Sequence, residues 1–535
     1  MFALIVLAFI APACALVSGG DAAPAPAPPA SVDGAVTVSF DSAIAEISPL
    51  IRGVSSRIED FEGAGVTLNS WGGQRATRYN YQLGNAWNQG RNGAFRNEGV
   101  ASTDDLVGDW LASNEAAGVV SRVAVPGLGW IARDGSSETC SFPDDGGGCL
   151  TADAFDCARS GPIADPARAN VGSSPQSVAE WIDGYVSDGA GPEYLAVDNE
   201  PERWGIDHYD VHPTCSDYFE ILGTYLAYAT ALRDVAPRAQ LTGPVMCCWY
   251  DYANPPGPDD ESDQDLLSWF LERISERPAT EDGRPLLDVA DVHFRPSADV
   301  VTSRSDAEID ELRIEATREL WDPEHRADQG PVEPIEFLPR LRRTIDEVYP
   351  GMPLMVSDWR FGGESSTSGA LVVALALGVF AREGVEAAAH ADTIAPGSPA
   401  FFGFKLFGDY DDLGGAFEGL ALETVVDDDL ESVQAFAALD GRTLRLLLVN
   451  SSTDPEAQRI DLDLGAVEPA GSPKVFTYSG ATPDEIVESR LGGGAESSVV
   501  ELAAMTATMV ELKLRDAPEP TLPASSVPAD DTSAG

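Results

Sequence analysis

The chain is short of positive charge. Across 535 residues, 34 Lys and Arg face 87 Asp and Glu, a formal net charge of −53. A surface this acidic repels phosphate backbones and so excludes nucleic acid as a partner. It repels a polyanionic polysaccharide for the same reason, but not a neutral one. Histidine is scarce, at five residues, and no CxxC pair or His cluster has the spacing of zinc ligands. His208 and His212 are too isolated from acidic partners of known geometry to read as a metal site. The segment Asp409-Tyr410-Asp411-Asp412 could hold a structural calcium but reads as a solvated loop. No metal site and no cofactor are therefore expected. Apolar runs of the roughly 18 residues a membrane span needs are missing after the N-terminus. Internal repeats are missing too, and a monomer is expected.

At the N-terminus, residues 2–11 form an apolar core of signal-peptide length, followed by small residues. Residues 1–19 are expected to be an export signal, which sends the chain to an extracellular or periplasmic space. Ala11-Pro12-Ala13-Cys14 loosely resembles a lipoprotein box, so anchoring through Cys14 is the alternative to simple cleavage. Six further cysteines, at 140, 149, 157, 215, 247 and 248, are an even number in an exported chain and point to disulfides. The sequence leaves their pairing open. Cys140, Cys149 and Cys157 share one polar loop, where a local staple is expected.

Two regimes lie between a Pro/Ala linker at 20–33 and a polar tail at 516–535, the latter expected to be disordered. From 53 to 415, apolar runs alternate with amphipathic stretches. The runs are VTLNSW, VVSRVAVPG, EYLAVDNE, AQLTGPV, LLDVADVHF, PLMVSDW and PAFFGFKL. The helical stretches are 176–188, 216–235, 263–276, 334–349 and 367–383. This βαβα order predicts a parallel sheet under helices, and its length suits a (β/α)8 TIM barrel. From 416 to 515, short strand-like runs between Gly, Asp and Pro turns predict a smaller antiparallel β-sandwich. Residues 34–52, with the strand-like GAVTVSFD, are assigned to that second domain.

In such a barrel, reactive side chains sit at the C-terminal ends of strands. Glu200 ends the run Tyr194-Leu195-Ala196-Val197-Asp198-Asn199-Glu200-Pro201, and Asp358 ends Leu354-Met355-Val356-Ser357-Asp358-Trp359. Counting along the chain, these are the fourth and seventh strands. Two carboxyls so placed are what glycoside hydrolysis requires. One protonates the leaving oxygen, and the other attacks the anomeric carbon or activates water.

A series of motifs in order, from about residue 40 to 515, resembles glycoside hydrolase family 44. They include Trp71-Gly72-Gly73-Gln74, the run Thr77-Arg78-Tyr79-Asn80-Tyr81-Gln82, and Val125-Pro126-Gly127-Leu128-Gly129-Trp130. LAVDNEPERW, Leu241-Thr242-Gly243-Pro244-Val245, Asp291-Val292-His293 and SDWRFGGE follow. The resemblance implies an endo-acting enzyme on β-1,4-glucans, such as cellulose derivatives or xyloglucan. It implies Glu200 as acid/base, Asn199 as the ligand of a sugar 2-hydroxyl, and Asp358 at the nucleophile position. Arg78 is expected to support the carboxylate on the seventh strand. Trp71 and Trp204 are the preferred walls of a glycan cleft. Trp87, Trp130, Trp249, Tyr250 and Trp359 are further cleft candidates, and His293 a polar one.

The sequence departs from the family pattern at the second carboxylate, and other departures point the same way. The nucleophile is ordinarily Glu, and Asp358 is one methylene shorter, a retreat of roughly 1.5 Å. Retaining sites hold their carboxyls about 5–5.5 Å apart and inverting ones about 6.5–9.5 Å. Slow retention, inversion, or binding without cleavage are the three outcomes. The motif after His293 ordinarily ends Trp-Tyr-Pro; here it is Phe294-Arg295-Pro296. Ser70 stands where Arg is usual, and Ala387-Ala388-Ala389-His390 lacks the usual tryptophan. These changes motivate the alternative of a glycan-binding pseudoenzyme.

Overall fold

The computed structural model describes residues 32–522, except 102–104, 147, 151–155, 160, 254, 256–263, 278–279, 281–282, 328–332, 392 and 492–497. The expected export signal, Cys14, most of the linker and the end of the tail lie outside the described residues. Eight parallel strands close into a barrel. In chain order they are Gly53–Val54, Leu68–Trp71, Val120–Val125, Tyr194–Val197, Gln240–Met246, Val289–Phe294, Leu354–Trp359 and Ala387–His390. The eighth pairs with the first through Ala389 and Gly53. A Cβ at Gly53 would lie 2.2 Å from the Ala388 carbonyl, so only glycine permits that seam. Most strand positions are buried, as expected of strands covered on both faces.

The helices start where side chains can cap them. Ser174, Asp217, Asp265 and Ser366 each accept a backbone N–H in the first turn of helices Pro175–Ser187, Tyr218–Val235, Leu266–Ser275 and Thr367–Arg382. One expected strand-like run is a helix. Pro399–Gly408 contains PAFFGFKL, with Ser398 as its cap and Pro399 in its first turn. Its apolar surround misled the reading, because this helix is buried on nearly every side. It packs on Thr367–Arg382 and against the second domain, where Phe402 stacks on Tyr478 with ring centroids 5.5 Å apart.

That second domain is one continuous nine-stranded sheet, ordered Thr482–Arg490, Lys474–Ser479, Thr506–Lys513, Thr443–Asn450, Val433–Asp440, Gly419–Val426, Gly34–Ile47, Gln458–Asp463 and Val499–Leu502. Its two halves share one core, in which Ile460, Leu462, Val500 and Leu502 meet Leu444, Leu446, Leu448, Val510 and Leu512. The strand Gly34–Ile47 joins the halves through irregularities in its register with Gly419–Val426. The sheet is mixed rather than purely antiparallel, because Gly34–Thr37 run parallel to Ile460–Asp463. Order also continues into the expected tail, since Thr521 bridges Ser42.

Disulfides join Cys140 to Cys149, Cys157 to Cys215, and the neighbours Cys247 and Cys248. The first is the expected local staple. The second ties the same loop to the segment after the fourth barrel strand. Among the described residues, no helix is long and apolar enough to cross a membrane.

Candidate active site

The fourth barrel strand ends in an abrupt turn. Asp198 and Glu200 both take left-handed backbone conformations, with φ of 64° and 50°. Such conformations cost of order 1 kcal/mol or more each, and the surrounding bonds must hold them. Asp198 accepts from the Thr77 hydroxyl at 2.6 Å, the Gly127 N–H at 2.8 Å and the Asn199 N–H at 2.7 Å. A Cβ at Gly127 would lie 2.9 Å from the Asp198 Cβ, so glycine admits this close approach. Burial raises the Asp198 pKa to about 6, although the three donors oppose the shift.

Glu200 points into a cluster at the C-terminal mouth of the barrel. Its Oε1 lies 2.8 Å from His293 Nδ1, and its Oε2 lies 3.7 Å from Arg203 Nε. Burial opposes ionisation of this carboxyl. The His293 hydrogen bond and charge, together with Arg203, outweigh burial and hold it below the usual glutamate value, while the nearby Asp358 charge acts in the opposite sense. Arg203 also binds Asp207 at 2.9 Å and Asp251, so a single guanidinium ties three acidic side chains together.

Asp358 stands on the seventh strand, level with His293 on the sixth. Its carboxylate is ion-paired with Arg295, whose Nη1 also donates to the backbone oxygens of Phe294 at 2.9 Å and Asp358 at 3.3 Å. Burial alone would raise the Asp358 pKa. Arg295, and then His293, outweigh it and bring it down to about 2. His293 thus faces both carboxylates, bonded to one and level with the other. Nothing in the sequence fixed Arg295 as the partner, although its place in an otherwise aromatic motif was the available signal.

Several expected positions differ. Arg78 does not reach Asp358. It is fully buried, bonded to Asp210 at 2.9 Å and to Asn88, and it braces the long loop after the second strand against the one after the fourth. Trp204 and Trp359 are 2% and 0% exposed, so neither can wall a cleft. Trp359 instead packs among His390, Phe361, Phe380 and Phe404. Trp71 is half-buried, edge-on to Tyr79 and Trp110. Asn199 is buried beside Glu200. Tyr250 is 60% exposed, on the short helix Trp249–Ala253 whose Asp251 binds Arg203.

Two buried polar groups escaped the sequence reading. Arg122 on the third strand pairs with Asp291 on the sixth at 2.7 Å and donates to Ser70 at 3.0 Å, inside the barrel. Glu202 is fully buried, with Oε1 accepting the Cys247 N–H at 2.8 Å. Burial and the Glu200 charge push its carboxyl well up. The acidic segment at 409–412 is neutralised in part by Lys405, which binds Asp412 at 2.7 Å and Asp409 at 3.4 Å. Among the described residues, no group of three or more His, Cys, Asp or Glu is placed to hold a metal ion.

A closed parallel barrel with carboxylates at the mouth ends of its fourth and seventh strands, joined to a β-sheet domain, defines the class of barrel glycoside hydrolases. The model of glycoside hydrolase family 44 matches residues 86–298, so the chain is similar to that family over this span. Endoglucanase A of Paenibacillus lautus is 26% identical over an alignment of 469 residues that covers 80% of this chain and 65% of that protein. The chain spans less than two thirds of the length of the curated relatives it matches. The crystal structure of CelM2, a bifunctional glucanase-xylanase from a metagenome library, superposes with a TM-score of 0.80 at 25% identity, covering 90% of this chain and 99% of that one. A family 44 xyloglucanase of Paenibacillus polymyxa shares the fold with a TM-score of 0.74 at 22% identity, with coverage of 90% and 99%.

Proposed function

We propose that the protein hydrolyses internal β-1,4 bonds of a neutral glucan, xyloglucan or a cellulose derivative, outside the cytoplasm. The observation that carries this reading is the pair of partly buried carboxylates Glu200 and Asp358, with His293 bonded to the first and level with the second. Glu200 protonates the glycosidic oxygen and later takes a proton back. Asp358, ionised beside Arg295, attacks the anomeric carbon or positions water for that attack. Asn199 orients the sugar 2-hydroxyl. The activities for which the relatives are named, an endoglucanase and a xyloglucanase, agree with this substrate class. The strongly acidic chain favours a neutral polymer over a charged one. Three disulfides suit an oxidising compartment.

One observation favours a second reading, in which the protein binds glycan and cleaves it weakly or not at all. Asp358 is short, and its charge is already engaged by Arg295. The two readings part in one assay. Wild type and Asp358→Glu are incubated with xyloglucan, carboxymethylcellulose and mixed-linkage glucan, and new reducing ends are counted while NMR follows the anomer first formed. Cleavage by wild type supports the hydrolase. An inert wild type beside an active Asp358→Glu supports the binding protein and refutes the hydrolase.

A further inference from the structure

The disulfide between Cys247 and Cys248 joins adjacent residues. A disulfide stabilises a fold chiefly by closing a chain loop, and more so the longer the loop, as the logarithm of its length. Cys157–Cys215 closes 58 residues, whereas Cys247–Cys248 spans a sequence separation of one and closes essentially none. Its effect is therefore local, on the turn that follows the fifth barrel strand.

That turn is interlocked with the one bearing Glu200. The Glu200 N–H donates to the Val245 carbonyl at 2.9 Å. The Cys247 N–H donates to Glu202 Oε1 at 2.8 Å, and Arg203 spans from Glu200 to Asp251. The end of the fifth strand and the turn after it carry strained backbone, as does the turn bearing Glu200. Val245 and Cys248 have φ of 58° and 37°, facing Asp198 and Glu200 at 64° and 50°. A β-branched residue such as Val245 seldom adopts this conformation unless its surroundings impose it. Three tethers thus run from one turn to residues 200–203, and the disulfide lies among their anchor points.

We propose that the Cys247–Cys248 disulfide is a positioning element for Glu200, fixing the turn against which the acid/base carboxyl is set. This rests on the reading of Glu200 as acid/base. Without the bond, the turn relaxes, the Cys247 N–H leaves Glu202, and Glu200 shifts against His293. A displacement near 1 Å in such a group costs about a hundredfold in rate.

The test compares wild type with Cys247→Ser/Cys248→Ser and Cys247→Ala/Cys248→Ala, after peptide mass analysis establishes the bond in wild type. Three quantities are read: kcat and KM on xyloglucan, the thermal midpoint, and the imidazole NMR spectrum. With only five histidines in the chain, His293 can be assigned by substitution. Both variants are expected to lose about tenfold to a hundredfold in kcat, with KM within about twofold. The midpoint should hold, and the His293 resonances should move. Unchanged kcat with an unmoved His293, a pair that is reduced in wild type, or a collapse of the thermal midpoint would each overturn the proposal. If wild type cleaves no glucan, the acid/base reading fails. The His293 resonances then still decide whether the disulfide turn sets the surroundings of Glu200.

Discussion

Arg295 holds the carboxylate of Asp358 in an ion pair, one barrel strand away, and anchors itself on the backbone oxygens of Phe294 and Asp358. The pair joins the two residues that the sequence resemblance singled out as departures, the shortened acid and the arginine after Phe294. The arginine keeps the short acid ionised. Removing it in Arg295→Gln should let burial raise the Asp358 pKa from about 2. The acidic limb of the kcat/KM profile then moves to higher pH. A limb that stays in place shows that Asp358 does not govern it.

His293 acts on the other carboxyl. Its hydrogen bond and charge help hold Glu200 below the usual glutamate range. Glu200 must carry a proton to act as acid, so the alkaline limb of kcat/KM is expected below that range and activity should fall as pH rises through it. In His293→Asn the Glu200 pKa rises and the limb moves up. Losing a charged hydrogen bond worth about 1.5 kcal/mol should also cost about tenfold in the maximal rate. The pH–rate profiles of wild type and variant check both effects.

Asp198 links the site to stability. Its pKa in the folded protein is raised to about 6 by burial, against about 3.9 unfolded. Below the unfolded value it is protonated in both states and folding meets no penalty. As pH rises through 6 the folded state must ionise a buried group, and about 3 kcal/mol is lost. Asp198→Asn has no such titration. Urea unfolding at pH 4 and pH 7 should show wild type losing stability relative to the variant by that order.

The barrel was legible because its strands are short apolar runs separated by capped helices, and the cap residues are local signals. Glu200 and Asp358 were legible for a related reason: each ends such a run, and the run's end is the barrel mouth. The reading failed where partners are distant in sequence. Arg78 finds Asp210, 132 positions on, and no local pattern announces that. PAFFGFKL lacks a polar face because helix and sheet cover it from opposite sides, and without periodicity a buried helix resembles a strand. The tryptophans failed for a third reason. Proximity to a catalytic motif says nothing about which way a ring turns, and Trp204 and Trp359 turn inward.

That difference in burial separates Trp359 from Tyr250. Trp359→Ala should cost about 3–5 kcal/mol of stability, as expected for a large aromatic deleted from a core. Tyr250→Ala, at a ring 60% exposed beside the Arg203 cluster, should leave stability within about 0.5 kcal/mol. If Tyr250 supports a sugar ring, KM on xyloglucan should rise with kcat nearly constant. Denaturation curves and steady-state kinetics on the two variants distinguish these roles, and a Tyr250→Ala enzyme with unchanged KM removes Tyr250 from the binding surface.

The account depends most on Glu200 as the proton donor. The direct measurement is the rate at which wild type and Glu200→Gln release reducing ends from xyloglucan, at the pH of maximal wild-type activity. Glutamine keeps the size of the side chain but cannot donate the catalytic proton. A loss of about a hundredfold to ten-thousandfold is predicted, the usual worth of a positioned general acid. A Glu200→Gln enzyme that cleaves xyloglucan at the wild-type rate contradicts the assignment.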